Sequence, residues 1–88
     1  MTEPAAEIHC LWRRDPVRNM ARFYRLETAR DLFGGAVLIR SWGQIGTIGR
    51  ERREWFETAE AAATEAEAWR RRKLRRGYGG MSEIAAGP

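Results

Sequence analysis

A tryptophan at the end of an apolar strand candidate is the residue whose setting most suggests binding chemistry. Trp42 is followed at once by Gly43, and residues 41–49 contain three glycines. A glycine beside an indole leaves room for a ligand or another backbone to approach the ring. Arg40 lies on the same side of the strand as Trp42, because strand side chains alternate between the two faces. A cation and an aromatic ring on one face predict a surface for phosphate and sugar.

The same stretch also has a purely structural interpretation, in which Trp42 is a core residue and the glycines only permit a tight turn. Gln44 continues the line of Arg40 and Trp42 if the strand persists. For Arg52, a solvated strand face is the alternative interpretation. The candidate binding residues are Trp42, Gly43, Gln44, Arg40, Arg50 and Arg52.

Catalytic and metal-binding chemistry find little support in the chain. The only histidine, His9, precedes the only cysteine, Cys10, on a predicted strand where neighbours point to opposite faces. The glycines after Trp42 fit neither the dinucleotide fingerprint nor the phosphate-binding loop of nucleotide hydrolases. Carboxylates are scattered among arginines, which disfavours general acid–base catalysis by a pair of carboxyl groups. We therefore predict a binding module without catalytic activity, metal or cofactor.

The composition indicates one small basic domain. The chain has 88 residues, 16 Lys and Arg against 12 Asp and Glu, a net charge of +4 and a pI near 10.2. Lys73 is the only lysine, and arginine forks match phosphate bidentately and stack on bases. This bias favours a nucleic-acid partner. It is also typical of soluble proteins from genomes that favour arginine codons, so composition alone leaves both interpretations open.

Localisation is predicted from what the sequence pattern lacks. A single cysteine cannot form an internal disulfide, which indicates a reducing compartment. The first residues show no signal-peptide pattern, and no apolar run approaches the roughly 20 residues of a membrane span. We expect a soluble cytoplasmic protein with no membrane partner.

Hydrophobic periodicity predicts several strands followed by one helix. Strands are expected over residues 8–14, 21–28, 36–42 and 50–56. The alanine-rich segment 58–76 is the helix, with Thr58 as N-cap and Gly77 as the glycine that ends it. A stripe of small residues spaced three and four apart, with Trp69 as its large member, predicts the face that packs on the sheet.

These elements predict an α+β fold, an antiparallel β-sheet of about four strands with one long α-helix packed on one face. Residues 1–7 are expected to be a disordered lead, 8–78 the domain, and 79–88 a flexible tail. Periodicity leaves open which face of the sheet the helix covers. The face of Leu38, Arg40 and Trp42 is one candidate for the uncovered side.

The basic run at residues 70–76 has two interpretations. As a binding surface, its cations would neutralise phosphates and make binding depend on salt. As structure, the run is the ordinary basic end of a helix, placed at the negative pole of the helix dipole. We expect the structural interpretation to hold for about half of these residues.

Three ordered blocks of the chain resemble the WGR domain. They are residues 19–26, residues 38–49, and the alanine-rich helix ending in 73–78. The resemblance implies a compact antiparallel sheet with one helix, as found in poly(ADP-ribose) polymerases and in stand-alone or fused bacterial proteins. It also implies a domain without catalytic activity of its own.

In the polymerases this domain binds DNA ends, with the motif tryptophan on the terminal sugar and the motif arginine on nearby DNA. The resemblance implies that Trp42 is the sugar-stacking residue and that Gly43 keeps the approach to it clear. The third motif position is Gln44 instead of arginine. Glutamine can hydrogen-bond a phosphate but brings no charge, and Arg40 is the cation placed to substitute for it in part.

Two functional hypotheses follow. The first is a non-catalytic nucleic-acid-binding module that recognises DNA ends or backbone through the Trp42–Gly43 loop and arginines. The alternative is a protein–protein interaction or scaffold domain that has lost DNA binding, favoured by the uncharged Gln44.

Overall fold

The computed structural model describes residues 7–84, with the side chains of residues 81–84 excepted. The elements are β1 (Glu7–Asp15), β2 (Met20–Arg30), β3 (Ala36–Gln44), β4 (Arg50–Phe56), α1 (Ala59–Arg75) and β5 (Gly79–Ile84). The strands form one antiparallel sheet in the order β4-β3-β2-β1-β5, and α1 packs against it. The predicted α+β fold is confirmed, with a fifth strand in addition to the four expected.

The fifth strand occupies the start of the segment expected to be a flexible tail. β5 pairs with β1, placing Gly80 opposite Leu11. A side chain at Gly80 would collide with the backbone of Cys10 and Leu11, so glycine allows this close pairing. The pairing uses backbone groups and gives no apolar alternation, which is why the sequence pattern did not reveal it. Glu7 belongs to β1, while residues 1–6 of the predicted lead and residues 85–88 of the predicted tail lie outside the described residues.

Helix α1 begins and ends at the residues that the sequence indicated. The Thr58 hydroxyl accepts a hydrogen bond from the Ala61 N–H at 3.0 Å, as an N-cap does. At the other end Gly77 adopts a φ of 94°, and the N–H groups of Gly77 and Tyr78 donate to the carbonyls of Leu74 and Lys73. This paired capping pattern turns the chain back towards the sheet and places Tyr78 against Tyr24.

The core lies between α1 and one face of the sheet. Its buried cluster consists of Leu11, Tyr24, Leu26, Leu38 and Ala66. Small residues on the inner side of α1 let the helix approach the strands closely, and Trp69 is the large residue beside them. The helix therefore covers the face of Leu38, so the alternative in which that face stays open is wrong. Burial of the large apolar residues of the three central strands decides this outcome.

The opposite sheet face has no covering element among the described residues. The register places large apolar residues on it, among them Ile8, Trp12, Phe23, Val37, Ile39 and Trp55. Trp12 is 40% exposed and Trp55 is 58% exposed. Two ion pairs lie on this face, Arg25 with Glu27 at 3.3 Å and Arg53 with Glu51 at 2.8 Å. We call this surface the uncovered sheet face.

The turn between β2 and β3 is held by one carboxylate. Asp31 accepts hydrogen bonds from the N–H groups of Phe33 (2.8 Å) and Gly35 (2.9 Å) and from the indole N–H of Trp55 (2.5 Å). The bond from Trp55 is the main cause of a lowered pKa for Asp31, and the two backbone N–H groups add to it. The ionised carboxylate thus ties the turn to the neighbouring edge strand.

We expect Asp31→Asn to lower the melting temperature at neutral pH and to lose this effect in acid. A carboxyl whose pKa is lower in the folded state stabilises the fold above its unfolded pKa, and this stability disappears as pH falls through the folded value. Thermal melts from neutral pH to about pH 3 should show the gap between wild type and variant narrowing. The exposed Glu57→Gln serves as control, and a gap that stays constant with pH would contradict the assignment.

Candidate nucleic-acid interface

The strand register brings the predicted site residues to one face of the sheet. β2 and β3 place Arg22 opposite Gln44 and Tyr24 opposite Trp42. β3 and β4 place Arg50 opposite Trp42. All these residues share the face that α1 packs on, but they lie towards the end of the sheet where the β3–β4 loop turns. Beyond the core, this end of the covered face is therefore lined by polar and aromatic side chains.

An open cleft of about 430 Å³ lies at this end, between the sheet and the C-terminal part of α1. We call it the Trp42 cleft. Its lining residues are Arg22, Tyr24, Trp42, Gly43, Gln44, Arg50, Lys73 and Tyr78. Four of the six residues predicted from the sequence thus lie together, and the other two, Arg40 and Arg52, lie outside the lining.

Trp42 belongs both to the core and to the cleft. The ring is half-buried, packs against the core cluster and stacks on Tyr24 with ring centroids 6.2 Å apart. Because the remainder of the ring lines the Trp42 cleft, it stays accessible to a ligand. The structural and binding interpretations of Trp42 are therefore compatible.

Arg40 does not line the cleft but contacts two of the aromatic residues that do, Tyr24 and Trp42. Its guanidinium carbon lies 4.0 Å from the centroid of the Trp69 ring and 5.7 Å from that of Trp42, and the group donates a hydrogen bond to the Tyr24 hydroxyl at 3.4 Å. Its Nε is buried without a hydrogen-bond partner in the described part of the chain. Arg52 is exposed on β4, beside Arg40 in the register. The geometry thus makes Arg40 a support for three aromatic rings.

Packing against the β3–β4 loop requires a glycine at position 43. A Cβ built at Gly43 would lie 2.8 Å from the Cα of Gly49 and 3.3 Å from the Thr47 hydroxyl oxygen. The missing side chain accommodates the returning β3–β4 loop. That Gly43 also keeps the approach to Trp42 clear remains a prediction from the family resemblance.

Four cleft residues were absent from the sequence-based site: Arg22, Tyr24, Lys73 and Tyr78. Alternation along β2 puts Arg22 and Tyr24 on one face, and pairing β2 with β3 would have aligned both with Trp42. Lys73 follows Trp69 by one helical turn on the packing stripe, and the Gly77 cap points Tyr78 back at the sheet. Those signals become informative only once the strand pairing and the covered face are known.

Lys73 is the cation that α1 contributes to the cleft. Its Nζ lies 4.5 Å from the ring centroid of Tyr24 and 5.6 Å from that of Tyr78. Burial lowers the pKa of Lys73, and the charges of Arg76, Arg40 and Arg22 lower it further. Burial also raises the pKa of Tyr24, which the hydrogen bond from Arg40 partly offsets. The amino group of Lys73 thus lies over two aromatic rings of the cleft.

The arginines of this domain divide into paired and unpaired sets. On the uncovered sheet face and on the outer side of α1, several arginines pair with carboxylates, as Arg53 does with Glu51 at 2.8 Å and Arg70 with Glu67 at 3.0 Å. Around the cleft, no ion pair between the described residues involves Arg22, Arg40, Arg50, Arg52 or Lys73. The cleft thus presents positive charge that no carboxylate of residues 7–80 neutralises.

The described residues include neither a membrane-spanning helix nor a metal-binding cluster. Residues 7–84 contain no helix that combines the length and the apolar character needed to cross a membrane. Among the side chains of residues 7–80, no three of His, Cys, Asp or Glu come together in a way that could hold a metal ion.

Comparison with known proteins identifies the family of this chain. An uncharacterised protein of Sinorhizobium fredii (strain NBRC 101917 / NGR234), named y4dW, is 42% identical over 66 residues, which cover 75% of this chain and 32% of that protein. The chain thus matches about a third of the length of this relative. No solved structure matches significantly. Residues 8–84 match the WGR domain, from β1 through the last strand. The chain belongs to the WGR domain family.

Proposed function

We propose that the protein is a non-catalytic nucleic-acid-binding module that holds DNA, at an end or along the backbone, in the Trp42 cleft. One observation carries the proposal: cations without carboxylate partners converge on an aromatic cleft, whereas Arg25, Arg53 and Arg70, which lie elsewhere, are paired with carboxylates. Phosphate groups would pair with the cations of the cleft, which have no carboxylate partner. The accessible part of the Trp42 ring would pack on a sugar or base.

The family assignment supports this proposal, since WGR domains are a nucleic-acid-binding type of domain. The uncharged Gln44 does not remove positive charge from the site as a whole, because Arg22 lies opposite Gln44 in the register and Arg50 opposite Trp42. Both arginines line the cleft with Gln44. The charge of the missing motif arginine is thus supplied from the two neighbouring strands, and Gln44 is left to donate or accept a hydrogen bond.

Removal of both arginines, Arg22→Gln with Arg50→Gln, is expected to reduce the salt dependence of DNA binding. Each phosphate contact contributes roughly 0.9 to the slope of log K against log salt concentration on duplex DNA. The double variant should therefore lose up to about 1.8 of that slope and bind more weakly at every salt concentration. Fluorescence anisotropy with a labelled duplex, titrated at several salt concentrations, measures both quantities.

The matched control removes two arginines from the uncovered sheet face. Arg25→Gln with Arg53→Gln changes the net charge equally, but these arginines pair with Glu27 and Glu51 and lie on the other side of the sheet. We expect near wild-type affinity and slope for this control. Equal losses in both double variants would show that net charge alone attracts DNA and would contradict a defined cleft.

The alternative function, a protein-interaction module, is favoured by a different surface. Trp12 and Trp55 are 40% and 58% exposed on the uncovered sheet face, and apolar area of this kind is typical of contacts with other proteins. The two functions thus use opposite faces of one sheet. If Trp12→Ala abolishes binding of a co-purifying protein while Trp42→Ala leaves it intact, and the wild type shows no DNA binding, the interaction function is the correct one.

A further inference from the structure

The basic run of α1 is divided by the fold into two sets of cations with different surroundings. Arg70 and Arg71 turn to Glu67, at 3.0 and 3.5 Å, on one side of the helix. The remaining cations, Arg72, Lys73, Arg75 and Arg76, line a groove of about 350 Å³ together with Trp69. We call this the α1 groove. None of its four cations forms an ion pair with a carboxylate of the described residues.

The α1 groove adjoins the Trp42 cleft through a shared residue. Lys73 lines both, so its ammonium group stands between the two sets of cations. Arg76 lines the groove beside Lys73, while Arg22 lines the cleft on its other side. Because both are lined by Lys73 and by further cations, the groove and the cleft form one continuous positive surface.

The chemistry of the α1 groove favours phosphates over bases. Its aromatic residue, Trp69, already carries two guanidinium groups over its ring, those of Arg40 at 4.0 Å and Arg72 at 4.6 Å. Stacking of a base on Trp69 would have to compete with these cations. Arg72, Arg75 and Arg76 are exposed, so an anion in solvent can reach them. Guanidinium forks in this arrangement match the oxygen pairs of phosphodiester groups.

We propose that the α1 groove is a second phosphate-binding site, which takes the backbone of the same nucleic acid that occupies the Trp42 cleft. The inference rests on the proposed function, because the cleft supplies the first contact. Lys73 lies at the junction and contacts a phosphate between the two sites. The groove reads backbone only, so it adds affinity and salt dependence without sequence preference.

The test compares two double variants of the same helix run. Arg72→Gln with Arg76→Gln removes two groove cations, and Arg70→Gln with Arg71→Gln removes two cations paired with Glu67. Both variants change the net charge equally and within seven residues of one another. The probe is a blunt DNA duplex of about 20 base pairs, long enough to cover cleft and groove, and binding is measured by anisotropy across a salt series. Circular dichroism melts establish that each variant is folded.

We expect the groove variant to bind on the order of tenfold more weakly and to lose up to about 1.8 of the log–log salt slope. The Glu67-paired variant should stay close to wild type. Equal losses in both variants, or no loss in the groove variant while the Arg22 and Arg50 variant is impaired, would overturn the second site and leave the proposed function standing. If the wild type itself does not bind the duplex, the proposed function fails, and the second site fails with it.

Discussion

Trp42→Ala is expected to weaken DNA binding on the order of tenfold to a hundredfold, because stacking of a sugar or base on one ring contributes about 1–3 kcal/mol. The same change should lower the free energy of unfolding by about 2–3 kcal/mol. This is less than for a fully buried ring, because Trp42 is only half-buried although it stacks on Tyr24. Binding is therefore measured at a temperature where circular dichroism shows the variant to be folded.

Two further variants separate binding from stability. Trp42→Phe keeps an aromatic ring in contact with Tyr24, so it should retain most of the stability while it loses part of the stacking area. Trp12→Ala removes an indole from the uncovered sheet face and should leave DNA affinity unchanged. A folded Trp42→Ala protein with wild-type affinity would remove Trp42 from the binding site.

Gly49→Ala should be strongly destabilising, by about 2–4 kcal/mol. Gly49 adopts a φ of 73°, and a Cβ there would collide with the carbonyl oxygen of Trp42 and lie 2.9 Å from Cζ of Phe23. A backbone carbonyl cannot move aside as a flexible side chain can, so the loop must shift. Because Arg50 follows directly and pairs with Trp42 in the register, the shift should also weaken DNA binding.

Gly46→Ala is the matched control in the same loop. Gly46 also has a positive φ, 94°, but no heavy atom lies within 4 Å of a Cβ built there. It should therefore cost only the conformational penalty of about 1 kcal/mol and leave binding intact. Chemical denaturation of the two variants measures this difference. Equal losses would indicate that backbone conformation alone, and not the contact with Trp42, constrains Gly49.

Local signals in the sequence were sufficient for most of the fold. Alternating apolar residues located the first three strands to within two residues at each end, and Thr58 and Gly77 marked the ends of the helix. β5 could not be predicted from the sequence, because it begins with two glycines and pairs with β1 through the backbone, which leaves no apolar pattern. The sequence also did not indicate which face of the sheet α1 covers, because β3 carries apolar residues on both sides. Only the packing of Tyr24, Leu26 and Leu38 against α1 decides between the two faces.

The candidate site was partly predictable for a related reason. Trp42, Gly43, Gln44 and Arg50 are near one another in the chain, so a motif could find them. Arg22, Lys73 and Tyr78 reach the cleft from β2 and from the end of α1, and only strand register and the helix cap bring them there. Arg40 was correctly placed on the same face as Trp42, but its contacts with Trp69 and Tyr24 depend on the position of the helix.

The most direct test of a DNA-binding cleft on the α1 side is to follow backbone amide NMR signals while a DNA duplex is added. We expect the largest shift changes at Arg22, at residues 42–44, at Arg50 and at Tyr78, with residues 72–76 changing if the α1 groove is also filled. Changes centred on Trp12, Phe23 and Ile39 of the uncovered sheet face, or the absence of any change at low salt, would contradict it.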